Sequence, residues 1–242
     1  MKKLTISSLA LLVIGFAPVA LADEDAANIS GPGHWDIGAV EHGGALELQI
    51  GQHVGTNHTH YVLNGSTISY NFGTNAKVDV EKGTNNLGSL WVTPHDEVDA
   101  DAMGMPFIGF SAKELSATNG WTGLVTFTMT GFSFTTNSFT VGLGTGNFFM
   151  FEDDLFFDSR STNAFGNYGS FSVGVGQHAH GEFGFSDAGL YAITLVASGT
   201  NNGTAVSGDP ATFTFDVVPE PSTYALLGLG AGALALLRWR KR

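Results

Sequence analysis

Eight histidines carry most of the chemistry that the types and spacing of residues in this 242-residue chain suggest. Two pairs have His-x-His spacing, His58-Thr59-His60 and His178-Ala179-His180. In a β-strand, residues i and i+2 project from the same face, so each pair can direct two imidazoles at one ion. Neutral imidazole is a ligand for zinc, copper, iron and nickel. Chance placement of the histidines would give only about a quarter of one such pair, so the two pairs together predict a metal site.

His34 adds a third sequence region to this prediction. Asp36 lies two residues away, on the same face of a strand, where its carboxylate could orient the His34 ring behind a metal ion. The alternative is an edge-strand histidine covered by Trp35. His53 is close enough to the first pair to join it through a turn, whereas His42 is interpreted as a solvated loop residue. The predicted metal ligands are His34, His58, His60, His178 and His180, with Asp36, His53 and His95 as secondary candidates.

An acidic stretch from His95 to Asp101 is a second place where a cation could bind. Its oxygen ligands would suit calcium, but the glycine and the distal Glu of a calcium loop are missing. A solvated acidic loop is the preferred interpretation, and the same holds for Glu152-Asp153-Asp154 and for Asp158.

Enzyme signatures are largely missing from the sequence. There is no Gly-x-Ser-x-Gly elbow and no His-Glu-x-x-His helix. The stretch Gly142-Leu143-Gly144-Thr145-Gly146 is followed by no predicted helix, so it predicts a turn rather than a phosphate-binding loop. A paired-carboxylate hydrolase is left open by the many acids, although no spacing points to one. We expect no enzyme activity, with a metallohydrolase that uses the same histidines as the alternative.

Both ends of the chain have the pattern of targeting segments. Lys2 and Lys3 precede a short apolar run, and Ala20-Leu21-Ala22 is a small-x-small cleavage site, so residues 1–22 are predicted to be a signal peptide. At the other end, Pro219-Glu220-Pro221 is followed by an apolar stretch from Tyr224 to Leu237 and then by an Arg-rich terminus. As a helix that stretch would rise about 21 Å, short of the roughly 30 Å of a bilayer core.

The order of these C-terminal parts resembles the PEP-CTERM sorting signal, which an exosortase-type membrane protease recognises and removes; a simple tail anchor is the alternative. The resemblance implies an exported protein of the cell envelope, outer surface or extracellular matrix. It also implies the exosortase as a partner, and membrane contact through the C-terminal helix before processing. The predicted division is a signal peptide at 1–22, one domain at 23–218, and a sorting signal with an anchor helix at 219–242.

The charge of the predicted domain narrows its partners. It has 21 Asp and Glu against only Lys77, Lys82, Lys113 and Arg160, a net charge of −17. Such a surface repels phosphate backbones, which argues against nucleic acid as a partner, and it attracts cations. Because the chain has no cysteine, any metal site must be built from His, Asp and Glu rather than from thiolates.

Short alternating apolar runs predict the strands that must position the histidines. Val125, Phe127 and Met129 alternate with threonines in the clearest run. Further runs are Leu46 to Ile50, Phe139 to Leu143, Phe171 to Val175, Tyr191 to Leu195 and Phe213 to Val217. About ten strands with one apolar face each predict an all-β fold, a single two-sheet antiparallel β-sandwich with a core rich in phenylalanine. One helical turn is expected, near Ser111 to Leu115.

Several segments resemble, in order, the choice-of-anchor M surface domains. Gly33-His34-Trp35-Asp36-Ile37-Gly38, followed by Gly44-Ala45-Leu46-Glu47-Leu48, resembles their Gly-His-x-Asp-(Ile/Val) and Gly-x-Leu-x-Leu motif. Ser89-Leu90-Trp91-Val92-Thr93-Pro94 resembles their Val-Trp-Val-Leu-Pro segment. His178-Ala179-His180-Gly181-Glu182-Phe183-Gly184-Phe185, running on to Gly189-Leu190-Tyr191, resembles their His-x-His-x-x-Trp-x-Phe and Pro-Gly-x-Tyr ending. Phe183 replaces the usual Trp, and His95 stands where the family tends to have Gln.

This resemblance implies a function in metal supply. Members are surface-anchored and associated with metal ABC transporters, and a similar PEP-CTERM group is controlled by the zinc-uptake regulator. The resemblance places His34, His178 and His180 at motif positions, whereas His58 and His60 rest on spacing alone. We therefore expect an envelope protein that binds Zn²⁺ and supports zinc capture or homeostasis under zinc limitation, with a zinc-uptake system as a partner. The alternative is a structural or adhesive matrix protein that binds exopolysaccharide, with Trp35, Trp91 and Trp121 as stacking residues unless they are buried in the core.

Overall fold

A computed structural model describes residues 25–54, 57–73, 77–136 and 145–219, and within them most of the chain is β-strand. The predicted signal peptide, the run from Phe139 to Leu143 and the C-terminal stretch from Glu220 onward lie outside the described residues. Within the described ranges, no helix has the length and apolarity needed to span a bilayer.

The described strands form three hydrogen-bonded sheets. The seven-stranded sheet has the order β1 (Asn28–Ser30), β5 (Thr67–Gly73), β17 (Ala211–Pro219), β15 (Gly189–Asn201), β9 (Trp121–Thr135) and β12 (Ser170–Gly174), with β16 (Thr204–Ser207) paired to β15. The second sheet has the order β11 (Leu155–Asp158), β10 (Phe148–Phe151), β14 (Glu182–Phe185), β7 (Asn85–Val92) and β6 (Val78–Lys82). The third sheet has the order β13 (His178–His180), β8 (Pro106–Ser111), β2 (Gly33–His42), β3 (Ala45–Val54) and β4 (Asn57–Val62).

The all-β prediction is confirmed, with two differences in architecture. The described strands form three sheets rather than two, and three strand pairs are parallel: β1 with β5, β5 with β17, and β2 with β8. Parallel neighbours need long connections, so they join segments whose pairing leaves no short-range pattern in the sequence. The β2–β8 pair also places β2 in the middle of the third sheet, which rules out the alternative that His34 lies on an edge strand.

Near Ser111 to Leu115 the structure has one hydrogen-bonded turn, with the Leu115 N–H donating to the Ala112 carbonyl at 3.1 Å, but not the helix that the sequence predicts. Ser111 is the last residue of β8, and the helix of the described region is α1 (Glu97–Ala102), with a 3-10 turn at Ala117–Asn119. The acidic stretch interpreted as a loop therefore forms α1. The Asp96 side chain caps it by accepting a hydrogen bond from the Asp99 backbone N–H at 2.9 Å. Acidic residues in the first turn favour this helix because they complement the positive end of its dipole.

One core joins the three sheets, and aromatic rings supply much of it. Phe110 on β8 is the clearest junction. Its ring lies 5.0 Å from that of Phe127 in the seven-stranded sheet and 6.5 Å from that of Phe183 in the second sheet. Period-two alternation explains this placement, because it turns the apolar residues of each strand inward and leaves the opposite face for polar groups. On β2 the inward residues are Trp35, Ile37 and Ala39.

A short stretch of chain passes through all three sheets. Strand β12 belongs to the seven-stranded sheet, β13 to the third and β14 to the second. The turn between β12 and β13 is fixed by backbone hydrogen bonds, with the Gly176 N–H donating to the Ala112 carbonyl and the Ala112 N–H donating to the Gln177 carbonyl. This turn sets β13 beside β8, and so holds both histidines of the second pair against the third sheet.

Candidate metal centre

Three histidines from two distant parts of the sequence meet on the third sheet. His34 lies on β2, and His178 and His180 lie on β13. One ring nitrogen from each can be chosen so that all three lie within 4.8 Å of one another. Strand β8 stands between them, with Gly109 opposite both His180 and Asp36 in the register. The proximity therefore depends on the antiparallel β13–β8 and parallel β8–β2 pairings.

Gly109 leaves the space in which these side chains meet. A Cβ atom at this position would lie 2.5 Å from both Cε1 and Nδ1 of His180 and 2.6 Å from Oδ1 of Asp36. Such distances are far inside van der Waals contact, so a larger residue would displace the ring or the carboxylate. The glycine thus allows an imidazole from β13 to lean across β8 toward β2.

Phe107 packs against two of the three imidazoles. The His180 ring stacks on it with centroids 4.1 Å apart and planes 13° apart, and the His34 ring meets it edge-on at 5.5 Å. The centroids of His178 and His180 are 5.1 Å apart, and those of His34 and His178 are 5.6 Å apart. An aromatic neighbour of this kind fixes ring orientation and excludes water from the nitrogens it covers.

Two carboxylates approach the histidines. Asp36 is only 2 % exposed, and its Oδ1 lies 3.5 Å from His34 Nε2 and 4.0 Å from His180 Nε2. Glu97, brought in by α1, has its Oε2 at 3.5 Å from His34 Nδ1. Buried carboxylates are stable only when they are paired or bind metal, so Asp36 supplies a negative charge that favours a cation here.

The surroundings shift the pKa values of the three histidines in different directions. The hydrogen bond with Asp36, with further help from the charge of Glu97, raises the pKa of His34 despite its burial. Burial lowers the pKa of His178, and it lowers that of His180 to about 4. At neutral pH the two β13 imidazoles are therefore neutral, which is the form that ligates metals. The raised pKa of His34 opposes metal binding, because a metal binds only the deprotonated ring nitrogen.

The donor set suits zinc or another borderline divalent ion. Imidazoles on tetrahedral zinc, with Zn–N bonds of about 2.0–2.1 Å, have their nitrogens about 3.3 Å apart. Closing from at most 4.8 Å to that spacing takes a shift of roughly 1.5 Å, which ring rotation can supply. Three histidines fill three positions, and Asp36, Glu97 or water is available for the fourth.

Of the other predicted ligands, Asp36 lies beside the three histidines, and His60 and His95 lie outside their group. His60 on β4 is not in this group; its Nε2 lies 3.8 Å from Glu114 Oε1. His95 is exposed, just before the cap of α1, and is also outside the group. The backbones of His53 and His58 pair with each other across β3 and β4, and that of His53 also pairs with His34, but their side chains lie outside the described residues. The sorting residues Pro219, Glu220 and Pro221 fall at or beyond the end of the described region.

Sequence reasoning missed the residues that surround the histidines. Glu97 belongs to the stretch that the sequence predicts to be a solvated acidic loop, and no sequence pattern singles out Glu114, Phe107 or Gly109. A helix signal was present at Asp96, because Asp is a strong N-cap residue. Nothing local marked Gly109, since its importance follows from the strands on either side of it.

The tryptophans proposed as glycan-stacking residues are mostly in the core. Trp35 is 8 % exposed and Trp121 is 1 % exposed, so their ring faces are closed to solvent. Trp91 is half-buried, with the Lys77 ammonium 4.4 Å above its ring. The interpretation that the core takes these residues is thus confirmed for Trp35 and Trp121.

The comparisons with known proteins place the chain by its C-terminus. Residues 217–242 match the PEP-CTERM protein-sorting motif. That motif marks an exported protein that is sorted to the envelope by an exosortase, as the order of C-terminal parts predicted. No curated protein and no solved structure matches the chain.

Proposed function

We propose that this exported protein binds Zn²⁺ through His34, His178 and His180, and that it captures or holds zinc at the cell envelope when zinc is scarce. The observation that carries the proposal is the convergence of three imidazoles, drawn from sequence positions more than 140 residues apart, to within 4.8 Å. In a chain without cysteine, a tight site for a borderline divalent ion requires such a group of histidines.

The surroundings of the three histidines support this assignment. Metal-bound histidines usually direct their second nitrogen to a carboxylate or carbonyl, which fixes the ring and raises its basicity. Asp36 and Glu97 approach opposite nitrogens of His34, so one of them can orient the ring while the other nitrogen binds the ion. The net charge of −17 on the 23–218 region raises the local concentration of cations.

Zinc titration of the purified protein tests the proposal. We expect one tightly bound ion. Its affinity is measured by competition with a chromophoric chelator at pH 7.5. Replacing His178 and His180 together by Ala should weaken binding more than about 100-fold, since loss of an outer partner alone costs 10–100-fold. His42→Ala is the matched control, because His42 also lies within 3.5 Å of a carboxylate, that of Glu47, but at the far end of β2. Equal zinc binding by the double variant and the wild type would refute the assignment.

The role in zinc scarcity needs a test in cells. We expect the amount of this protein to rise when the medium is depleted of zinc, and a strain lacking it to need more zinc to reach the same growth rate. A protein level that is unchanged by zinc depletion would overturn this part of the proposal while leaving the metal site intact. Cross-linking under depletion would test whether a zinc-uptake component is its partner.

A second candidate function follows from the same donor set. Three histidines leave one coordination position on zinc, and such sites with a bound water are often hydrolytic. The sequence-based expectation that the protein is not an enzyme stays a prediction. Hydrolysis of activated esters by the zinc-loaded protein, lost in the His178→Ala variant, would favour the hydrolase. A fourth protein ligand from Asp36 or Glu97 would fill the open coordination position on zinc and argue against it.

A further inference from the structure

A second group of polar side chains lies on the same face of the third sheet, beside the three histidines. It lines a small, partly open cavity of about 10 Å³, room for roughly one water molecule or one ion. The polar residues in its lining are Asp36, Ser111, His60 and Glu114, and Gly38 and Gly51 complete much of the rest. Of these, Asp36 also approaches the histidine group.

The strand register explains why Asp36 faces both groups. One row runs across all five strands of the sheet, through His180, Gly109, Asp36, Gly51 and His60. Asp36 is the central member, and a glycine stands on each side of it. Since neighbouring strands are about 4.8 Å apart, long side chains from both outer strands must lean inward over these glycines to approach the carboxylate.

The glycines are covered in that way on both sides. The His180 ring and Asp36 Oδ1 occupy the space above Gly109, as described above. On the other side, a Cβ added at Gly51 would lie 3.2 Å from His60 Nδ1 and 3.3 Å from His60 Cε1. The imidazole of β4 therefore lies over Gly51, on the side of Asp36 opposite to His180.

The donor types around the cavity suit a divalent cation, although among the described residues only His34, His178 and His180 already bring three ligand atoms within 4.8 Å of one another. Asp36 and Glu114 bring two carboxylates and His60 one imidazole, with His60 Nε2 3.8 Å from Glu114 Oε1. A carboxylate has two oxygens and can bridge two metal ions, which in two-metal sites lie about 3.5–4 Å apart. Asp36 is 2 % exposed, so cations bound on either side of it would face the same buried carboxylate.

We propose that the cavity binds a second divalent cation, held by His60, Glu114 and Asp36, so that Asp36 is shared between this ion and the one bound by His34, His178 and His180. The mixed nitrogen and oxygen donors bind zinc less tightly than three imidazoles do, so the second ion is the weaker of the two. The first ion in this inference is the one in the proposed function. Binding of the second ion is a separate claim, because its ligands His60 and Glu114 lie outside the histidine group.

Zinc stoichiometry distinguishes the two sites. The purified protein is dialysed against buffered Zn²⁺ at pH 7.5, and bound metal is measured by mass spectrometry alongside competition with a chromophoric chelator. We expect two ions on the wild type, one tight and one weaker. The double variant His60→Ala with Glu114→Gln should keep the tight ion and lose the weaker one, whereas the double variant His178→Ala with His180→Ala should show the reverse.

Matched controls guard against a trivial explanation. His60 is 22 % exposed and Glu114 is 48 % exposed, so their replacement should leave the fold intact, which circular dichroism and thermal unfolding verify. The pair His42 and Glu47, with the same residue types 3.3 Å apart, lies away from the cavity, and its double variant should still bind two ions.

The possible failures are separable. A wild type that saturates with a single ion, lost on mutation of His178 and His180, overturns the second site and leaves the proposed function standing. Two ions on the His60 and Glu114 variant also overturn the second site, because the second ion would then bind elsewhere. No bound zinc on the wild type overturns both.

Discussion

Gly109→Ala should strongly weaken zinc binding by the three histidines, although Gly109 binds no metal itself. The added methyl would lie 2.5 Å from His180 Nδ1 and Cε1 and 2.6 Å from Asp36 Oδ1. Ordinary contact between such atoms needs about 3.4 Å, so the ring must move by nearly 1 Å, whereas metal–ligand distances tolerate only about 0.2 Å. We expect the zinc affinity to fall about 100-fold or more, as it does when a supporting group of a metal site is lost.

Thermal unfolding with and without zinc turns this loss into a measurable shift. At a zinc concentration about 100 times the wild-type Kd, binding stabilises the wild type by about 2.7 kcal/mol, whereas a 100-fold weaker variant gains only about 0.4 kcal/mol. For a domain of 150–250 residues each kcal/mol moves Tm by about 2–4 °C. Zinc should therefore raise the wild-type Tm by about 5–11 °C and the Tm of the variant by about 1–2 °C.

Gly38→Ala is the control for the tight site, because Gly38 lies on the same face but lines the cavity proposed for the weaker ion rather than the histidine group. A Cβ at Gly38 would lie 3.9 Å from the Gln49 carbonyl oxygen and 4.0 Å from the Ser111 carbonyl oxygen, which is ordinary contact. This variant should keep most of the wild-type zinc shift. If zinc raised the Tm of Gly109→Ala by as much as it raises that of Gly38→Ala, the argument that Gly109 makes room for the His180 ring would be wrong.

Three further predictions concern acidity and packing. Without zinc, the protein should lose stability as the pH falls from about 6.5 toward 4, because His180 has a pKa of about 4 when folded and takes up its proton only on unfolding. The full loss of stability is roughly 3 kcal/mol. Chemical denaturation of the wild type and of His180→Ala at several pH values measures it. Asp36→Asn should lower the pKa of His34, because Asp36 raises that pKa, and should weaken zinc binding about 10–100-fold. NMR titration measures the pKa and chelator competition measures the zinc affinity. If neither changed, the prediction would be wrong. Phe110→Ala should cost about 3–5 kcal/mol in urea unfolding, because its ring joins the three sheets, whereas Leu124→Ala, at a residue that is 62 % exposed, should stay within about 0.5 kcal/mol.

The strands were predictable where apolar and polar residues alternate along the chain. The run through Val125, Phe127 and Met129 became β9, with all three side chains buried, because period-two patterning is a local property of the sequence. The same local rule placed His178 and His180 on one face of a strand. The capping of α1 by Asp96 is also a local signal, because Asp before an acidic first turn is typical of a helix start.

The sequence alone determined the C-terminal sorting motif and the all-β class, and its lack of cysteine limits any metal site to His, Asp and Glu, because composition and short-range patterns encode these properties. Only the tertiary structure decided which histidines meet. His34 and His180 are neighbours because β8, from a third part of the chain, inserts between β2 and β13 with a glycine in the shared row. That register is set by the burial of apolar faces in three sheets at once, a long-range condition that no local pattern specifies, and it also leaves His60 on the far side of Asp36.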